Sequence, residues 1–199
     1  MMTLRAKRRG IIFIISAPSG CGKTTLANRL RRCNLGLSHP ISYTTRLPRP
    51  GEEDGKNYRF LSQEDFRKKK EKGEFFERTK IYDEEYATPR NFIEAKLREG
   101  KDILLSVDVR GARSIKKLYP RCVTIFVLPP SMDTLKDRLM NRNQDSRGQL
   151  LKRLREAKGE IKQLRGYDYC VVNDDLDEAV KKLKSIVMAE RVKVVYGRS

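Results

Sequence analysis

The stretch from Gly10 to Leu30 constrains the fold of this chain more than any other part of its sequence. It begins with five consecutive apolar residues, Ile11 to Ile15, a run typical of a strand buried on both faces of a parallel sheet. Small residues and glycines follow, and an amphipathic helix then begins at Gly22-Lys23. A strand, a glycine-rich loop ending in Gly-Lys-Thr and a helix together predict a phosphate-binding loop.

The chemistry of this loop follows from its backbone and a few side chains. Successive N–H groups at a helix N-terminus can surround an anion, and the helix dipole favours negative charge there. Lys23 supplies a cation for the β- and γ-phosphates, and the Thr24 hydroxyl is a candidate Mg²⁺ ligand. Ala17 stands where the strict pattern has glycine, which alanine can replace if its φ is negative. An ordinary glycine-rich turn is the alternative interpretation. The residues expected at the phosphates are Ala17, Pro18, Ser19, Gly20, Cys21, Gly22, Lys23, Thr24 and Thr25.

The chain is strongly basic, with a net charge of +18 over 199 residues. This balance predicts polyanionic partners such as nucleotides, nucleic acid or an acidic surface. No apolar run approaches the ~18 residues that a membrane span needs, and the basic start lacks a signal-peptide core. The four cysteines show neither CxxC nor metal-ligand spacing. These features favour a cytoplasmic protein with reduced thiols.

Two arginines follow the first helix in a segment punctuated by proline and glycine. Arg46 and Arg49 are held near each other by Pro48 and Pro50, so their planar side chains form a fork suited to a phosphate monoester. Tyr58 adds a hydroxyl donor. A basic surface loop is the alternative interpretation of the same residues.

The segment from Thr45 to Phe60 reads Thr-Arg-x-Pro-Arg-x-Gly-Glu-x-x-Gly-x-x-Tyr-x-Phe. Downstream of a phosphate loop, this pattern resembles the guanylate kinases, and the resemblance runs from about Gly10 to about Lys184. It implies an α/β P-loop kinase fold in which a parallel sheet is flanked by helices and carries an inserted GMP-binding lobe and a helical lid. We expect a single domain, with its core at about 9–40, 91–130 and 166–199, the lobe at about 41–90 and the lid at about 131–165.

The resemblance also implies an activity, namely ATP-dependent phosphorylation of GMP, and of dGMP, to the diphosphate, with Mg²⁺ accompanying ATP. Such a transfer depends on positioning and charge neutralisation, which suits a site of lysine and arginine. The implied partners are ATP and GMP, with no membrane and no specific nucleic acid, for a monomer or homodimer.

The acceptor nucleotide is expected to contact a lobe that contains Glu77, in a strand predicted over 74–78. Its carboxylate can accept from both N1–H and the exocyclic amine of guanine, although an exposed glutamate without a role is the alternative. Similar kinases place Tyr86 at the acceptor phosphate and Thr88 at the base, with Ser42 completing the pocket. The expected GMP-binding set is Ser42, Arg46, Arg49, Tyr58, Glu77, Tyr86, Thr88 and Asp108.

A second buried strand is predicted over 102–111, with Asp108 at its carboxyl edge, where open α/β sheets bind ligands. Asp108 is the candidate acid that holds Mg²⁺ together with Thr24. Similar kinases usually carry an acid at Ser106, glutamine at Arg110 and glycine at Ala87. These departures leave the contacts to the acceptor base open.

Two helices predicted over 131–142 and 150–164, joined by a turn at 143–148, resemble the lid of a nucleoside monophosphate kinase. They cluster Arg138, Arg142, Arg153 and Arg155, for which a solvated helix face is the alternative. The resemblance implies that Arg138 and Asn173 contact ATP. The expected catalytic residues are Lys23, Arg46, Arg142 and Arg153.

Helices are also predicted over 62–73, 89–99, 112–118 and 176–187, and strands over 123–128 and 169–173. Two functions other than a kinase are also compatible with parts of the sequence. A phosphopeptide-binding scaffold domain is disfavoured by the intact phosphate loop. A dedicated nucleic-acid binder is disfavoured because the basic residues are dispersed and no recognition motif is present, although nonspecific binding could coexist with kinase activity.

Overall fold

The computed structural model describes residues 9–81, 83–140 and 147–194. The strands in these ranges are Ile12–Ser16 (β1), Tyr43–Thr44 (β2), Arg59–Phe60 (β3), Phe75–Ile81 (β4), Glu84–Pro89 (β5), Ile103–Ser106 (β6), Val123–Leu128 (β7) and Tyr169–Val172 (β8). The α-helices are Lys23–Arg31 (α1), Gln63–Glu71 (α2), Arg90–Arg98 (α3), Val109–Leu118 (α4), Met132–Met140 (α5), Arg147–Ile161 (α6) and Leu176–Val192 (α7), and a 3-10 helix covers Lys162–Gly166.

The strands form two four-stranded sheets. One has the order β6-β1-β7-β8, and its β1–β7 and β7–β8 pairs are parallel. Every residue of β1 is buried, as expected for an apolar strand covered on both faces. The other sheet has the order β3-β2-β5-β4, in which β5 runs antiparallel to both β2 and β4. The predicted α/β fold with a parallel sheet is therefore confirmed.

Two compact units make up the chain. The first contains the described residues of Met1–Ile12 together with Gly36–Leu105 and Arg113–Cys122. The second contains Phe13–Leu35, Ser106–Ala112 and the described residues of Val123–Ser199. The finer division into core, GMP-binding lobe and lid stays a prediction.

The second unit holds the phosphate loop on a set of packed helices. Helix α1 buries Leu26, Ala27 and Leu30, and it packs against α7. Helix α7 begins at the cap Asp175, whose side chain accepts a hydrogen bond from the Glu178 N–H. It continues to Val192, beyond the predicted end near 187, so the predicted boundary was short.

The first unit contains an apolar cluster that supports the mixed sheet. Phe66 of α2, Phe75 of β4 and Ala87 of β5 are buried together, and Tyr43 and Leu61 pack against them. Strand β5 was not predicted. Its sequence is short and polar at one end, and its hydrogen-bonding partners on β2 and β4 come from distant parts of the chain.

The predicted strand over 102–111 is wrong in its second half, because β6 ends at Ser106 and α4 begins at Val109. The Asp108 carboxylate accepts a hydrogen bond from the Gly111 N–H at 2.8 Å, and its carbonyl accepts from Ala112 at 2.9 Å. Asp108 therefore caps the helix, which starts earlier than the predicted residue 112.

The boundaries of α6 also differ from the prediction. This helix begins at Arg147, inside the predicted turn, and gives way to the 3-10 helix after Ile161. Residues 141–146, which include Arg142 and most of that turn, lie outside the described residues. No helix within the described ranges is long and apolar enough to cross a membrane.

Candidate active site

The phosphate loop requires glycine at two positions. Gly20 and Gly22 have φ values of 92° and 85°, in the left-handed region that glycine adopts without strain. A Cβ on Gly22 would lie 2.3 Å from Nδ2 of Asn173, so this position also lacks room for a side chain. In the described part of the chain, Asn34 is the only non-glycine residue with positive φ. Ala17 therefore has the negative φ that its substitution for glycine requires.

Asn173 supports the phosphate loop through its side chain. Its Nδ2 donates a hydrogen bond to the carbonyl of Cys21 at 2.9 Å, and its side chain is 6% exposed. Its own backbone is fixed by a bond from its N–H to the Leu128 carbonyl and by Arg138, which donates to the Asn173 carbonyl. Two residues expected at ATP, Asn173 and Arg138, thus form one support for the loop, a role that the sequence did not indicate.

Arg153 reaches the loop from α6. Its Nη2 donates to Oγ of Ser19 at 2.7 Å, so Arg153, which was expected to be catalytic, contacts the phosphate loop. Arg155 is exposed on the same helix, which agrees with the solvated alternative for that side chain. Within α1, Lys23 is partly buried, whereas Thr24 and Thr25 are exposed at the first turn.

A half-buried glutamate on α6, Glu160, could not be recognised as part of the site from the motifs in the sequence. The pKa of Glu160 is raised to about 7, mainly by burial and also by the charges of Asp108 and Glu156, while Lys23 and Arg110 oppose the rise. These electrostatic couplings place Glu160 near the phosphate-loop lysine and the predicted metal acid.

Helical periodicity could have identified Glu160. It follows Arg153 by seven residues and the buried Ala157 by three, so the three side chains share one face of α6. Nearby, burial raises the pKa of Tyr167 to about 12.

In the first unit, Arg46 is fixed by a carboxylate that the sequence analysis had not assigned. Its Nη2 donates to both carboxylate oxygens of Glu52 at 2.9 Å, and its Nη1 donates to the Leu47 carbonyl at 2.6 Å. Glu52 also accepts from the Arg49 N–H at 2.8 Å. Burial opposes the charge of Arg46, but the hydrogen bonds to Glu52 and Tyr86 raise its pKa above the ordinary value.

The structure brings three of the predicted acceptor residues together. The guanidinium of Arg46 lies 5.5 Å from the centroid of the Tyr58 ring, within cation–π range. The Tyr58 and Tyr86 rings are 6.0 Å apart, and burial raises the pKa of Tyr58. The Arg49 side chain is exposed, so the predicted fork consists of one anchored and one exposed arginine.

Glu77 is only 5% exposed, so the alternative of an exposed glutamate is wrong. It lies opposite Thr88 in the β4–β5 pair, and Thr79 lies opposite Tyr86. These four residues share one face of the hairpin because side chains alternate along strands. Thr88 is 1% exposed, and Thr79 is a neighbour that the sequence analysis missed.

The remaining predicted acceptor residues have simpler positions. Ser42 is half-buried, and its carbonyl accepts from the Arg59 N–H at 2.8 Å. Ala87 lies on the opposite face from Thr88, in the apolar cluster with Phe66 and Phe75.

The second unit defines the class of this protein. A glycine-rich loop follows a buried strand of a parallel sheet and leads into a helix that starts with Lys23-Thr24. This arrangement is that of the P-loop nucleotide-binding proteins.

Comparison with known proteins gives the family. A protein-family model described as Guanylate kinase matches residues 8–190. The guanylate kinase of Caldanaerobacter subterraneus subsp. tengcongensis is 43% identical over 188 residues, covering 94% of this chain and 91% of that protein. The guanylate kinase of Geobacter metallireducens is 45% identical over 185 residues, covering 93% and 91%. The crystal structure of guanylate kinase from Anaplasma phagocytophilum is similar with a TM-score of 0.80 and 32% identity, over 94% of this chain and 89% of that one. The chain belongs to the guanylate kinase family.

Proposed function

We propose that this chain transfers the γ-phosphoryl group of ATP to GMP, and to dGMP, giving ADP and the nucleoside diphosphate. The observation that carries the choice of guanine is the buried carboxylate of Glu77 opposite Thr88. Guanine presents two adjacent donors to a carboxylate, whereas adenine presents an acceptor at N1. A site built to hydrogen-bond its substrate rejects an analogue without the matching groups strongly.

The second unit would bind ATP through the phosphate loop. Its backbone N–H groups and Lys23 would neutralise the phosphates, and Arg153, already at Ser19, would contact the transferred group. Asn173 and Arg138 would act by holding the loop. The full proposed set is residues 17–25 with Arg138, Arg153 and Asn173, and Arg142 is added from the family resemblance alone.

The first unit would bind GMP. Arg46, with Arg49, Tyr58 and Tyr86, would contact the acceptor phosphate, and Glu52 would hold the Arg46 guanidinium in a fixed direction. Glu77, Thr88 and Ser42 would contact the base. The acceptor phosphate oxygen is itself the nucleophile, so the transfer needs alignment and charge neutralisation more than a general base.

Mg²⁺ fits the donor set of the second unit. Thr24 offers a hydroxyl and Asp108 a carboxylate, which are the hard oxygen ligands that Mg²⁺ prefers. The described residues contain no group of three or more His, Cys, Asp or Glu side chains able to hold a metal. Phosphate and water oxygens would complete the coordination, as is usual for Mg²⁺ with nucleotides. When bound, the ion would neutralise charge on the phosphates.

We also propose a cytoplasmic location and a monomer or homodimer. The location is supported by four cysteines that are all free thiols.

A coupled assay with ATP·Mg²⁺ and GMP, dGMP, AMP, CMP or UMP tests the proposal. We expect kcat/KM for GMP to exceed that for AMP by at least about 10³-fold. The matched control omits the acceptor and measures ATP hydrolysis alone. Comparable use of AMP and GMP would reduce the proposal to a nucleoside monophosphate kinase of other specificity. Failure to phosphorylate any of the five acceptors would contradict the proposal.

A further inference from the structure

Two basic segments of the sequence take no part in the proposed reaction. Residues 109–132 contain five lysines and arginines and no aspartate or glutamate. The N-terminal segment carries Arg5, Lys7, Arg8 and Arg9, again without an acid before Gly10. In a chain of net charge +18, such acid-free stretches are candidates for a polyanion surface.

The structure places Arg9 beside the residues that follow α4, within the first unit. Arg9, Tyr119, Pro120 and Arg121 line a surface notch of about 280 Å³, which we name the Arg9 notch. Arg9 and Arg121 are exposed, and Tyr119 is half-buried. Neither arginine side chain makes a hydrogen bond or ion pair with another described residue, so both guanidinium groups are available to a ligand.

The backbone on both sides of the Arg9 notch is fixed. A Cβ on Gly10 would lie 2.0 Å from the Lys101 carbonyl oxygen, so the chain directly after Arg9 packs tightly against the Lys101 backbone. On the other side, Cys122 N–H donates to the Tyr119 carbonyl at 3.0 Å, and Lys116 donates to the Cys122 carbonyl at 2.8 Å. This turn holds Tyr119 at the end of α4, which lowers the entropy cost of binding.

The positive surface extends from the Arg9 notch along α4. Arg113 and Lys117 are exposed and lie four residues apart, so they share one face of this helix. The opposite face is apolar, with Ile115 and Ala112 buried.

We propose that the Arg9 notch binds single-stranded nucleic acid without sequence preference. The two guanidinium groups contact phosphates, a base stacks on the Tyr119 ring, and Arg113 and Lys117 follow the backbone along α4. Cations that track a backbone beside an aromatic ring are the usual elements of such binding. A duplex, whose bases are already stacked, can use the cations but not the ring.

Fluorescence anisotropy of the full chain with a labelled oligouridylate of about 12 nucleotides tests the proposal, between about 50 and about 200 mM salt. The test variant is R9E/R121E. The matched control is K70E/K72E, which reverses two exposed lysines on or next to α2 in the same unit. Kinase activity with GMP verifies that each variant is folded, because none of these residues belongs to the proposed active site.

We expect R9E/R121E to weaken RNA binding at least about tenfold and to lower the salt slope by about 1.4, which corresponds to two phosphate contacts on a single strand. K70E/K72E should change the affinity for RNA less than about threefold, although it lowers the net charge of the chain as much as R9E/R121E does. An equal loss of affinity in both variants would overturn the proposal, because it would assign RNA binding to charge dispersed over the surface. The absence of RNA binding at the lowest salt would also overturn it.

Tyr119 is tested with a second pair of variants. Y119F keeps the ring and should bind RNA as the parent chain does, whereas Y119A should lose about fivefold or more in affinity. Equal binding by Y119A and Y119F would overturn the stacking role. Preferential binding of duplex DNA, or binding of phosphatidylserine vesicles but not of RNA, would overturn the assignment to single strands.

Discussion

The side-chain amide of Asn173 donates to the carbonyl of Cys21 at 2.9 Å, across 152 residues of sequence. The same nitrogen would lie 2.3 Å from a Cβ on Gly22. Asn173 therefore fills the space that a side chain on the loop would need, and it fixes the loop carbonyl that points inward. The phosphate loop has its shape because a residue at the end of β8 supports it.

Asn173→Ala should loosen this loop. Loss of the hydrogen bond leaves a buried carbonyl unsatisfied, which we expect to cost about 1–3 kcal/mol in the free energy of unfolding. KM for ATP should rise roughly tenfold, the equivalent of about 1.4 kcal/mol, while KM for GMP stays near its original value. Urea unfolding and steady-state kinetics measure both effects, with the exposed Asn28→Ala on α1 as control. An unchanged KM for ATP would show that the loop keeps its shape without this support.

Lys23→Ala should leave the fold intact and lower kcat by about two to four orders of magnitude, the scale of losing one transition-state charge contact. Circular dichroism monitors the fold, and the coupled assay measures kcat. Lys182→Ala, an exposed lysine on α7, should behave as the parent chain does. Near-normal turnover by a folded Lys23 variant would contradict the assignment of the loop.

Arg46→Lys should weaken GMP binding by about tenfold or more with little effect on ATP. Lysine keeps the charge but cannot hold Glu52 and a phosphate with one planar group. Glu52→Gln should raise KM for GMP by a smaller factor and leave kcat nearly unchanged, because it acts through the direction of Arg46. Calorimetry with each nucleotide separates the effects, and equal loss of ATP and GMP binding would point to misfolding.

Glu77→Gln should lower kcat/KM for GMP and reduce the preference over AMP from its expected value of at least about 10³. The amide offers one acceptor and one misplaced donor where guanine needs two acceptors. Glu74→Gln, at the residue directly before the same strand, is a suitable control. Retained GMP selectivity in Glu77→Gln would assign base recognition to other residues.

Glu160 predicts a pH dependence of stability in the nucleotide-free, metal-free protein. Its pKa is about 7 in the folded chain against an ordinary value of 4.5. A carboxyl whose pKa rises on folding contributes stability that is fully present below the unfolded pKa and is lost as the pH rises through the folded pKa. The parent chain should therefore lose stability relative to Glu160→Gln between pH about 4.5 and about 7.

Above that window, Glu160→Gln should be more stable by about 1–2 kcal/mol, a value reduced from the full shift because the side chain is partly exposed. Urea unfolding at several pH values in EDTA measures the difference. Glu71→Gln, an exposed position on α2, should follow the parent chain. Parallel stability curves for the parent chain and Glu160→Gln would contradict the raised pKa of the half-buried Glu160.

The sequence alone was sufficient to predict those features of this protein that depend on residues close together in the chain. The phosphate loop could be predicted because its anion site consists of consecutive residues, and the buried strand before it contains only apolar side chains. The helix predicted over 62–73 is confirmed as α2, and Ser62 caps it with a side chain that accepts from the Asp65 N–H. The pattern around Arg46 and Tyr58 indicated the family because its residues lie close together in the chain.

Tertiary structure decided the features that depend on distant partners. Glu77 is buried because β4 pairs with a strand that the sequence did not reveal, and Arg153 reaches Ser19 across 134 residues. The capping role of Asp108 was missed because a strand and a helix start were both compatible with the residues around it. Hydrophobic periodicity specifies which side of an element is buried, but the side chain that it meets there depends on how the whole chain packs.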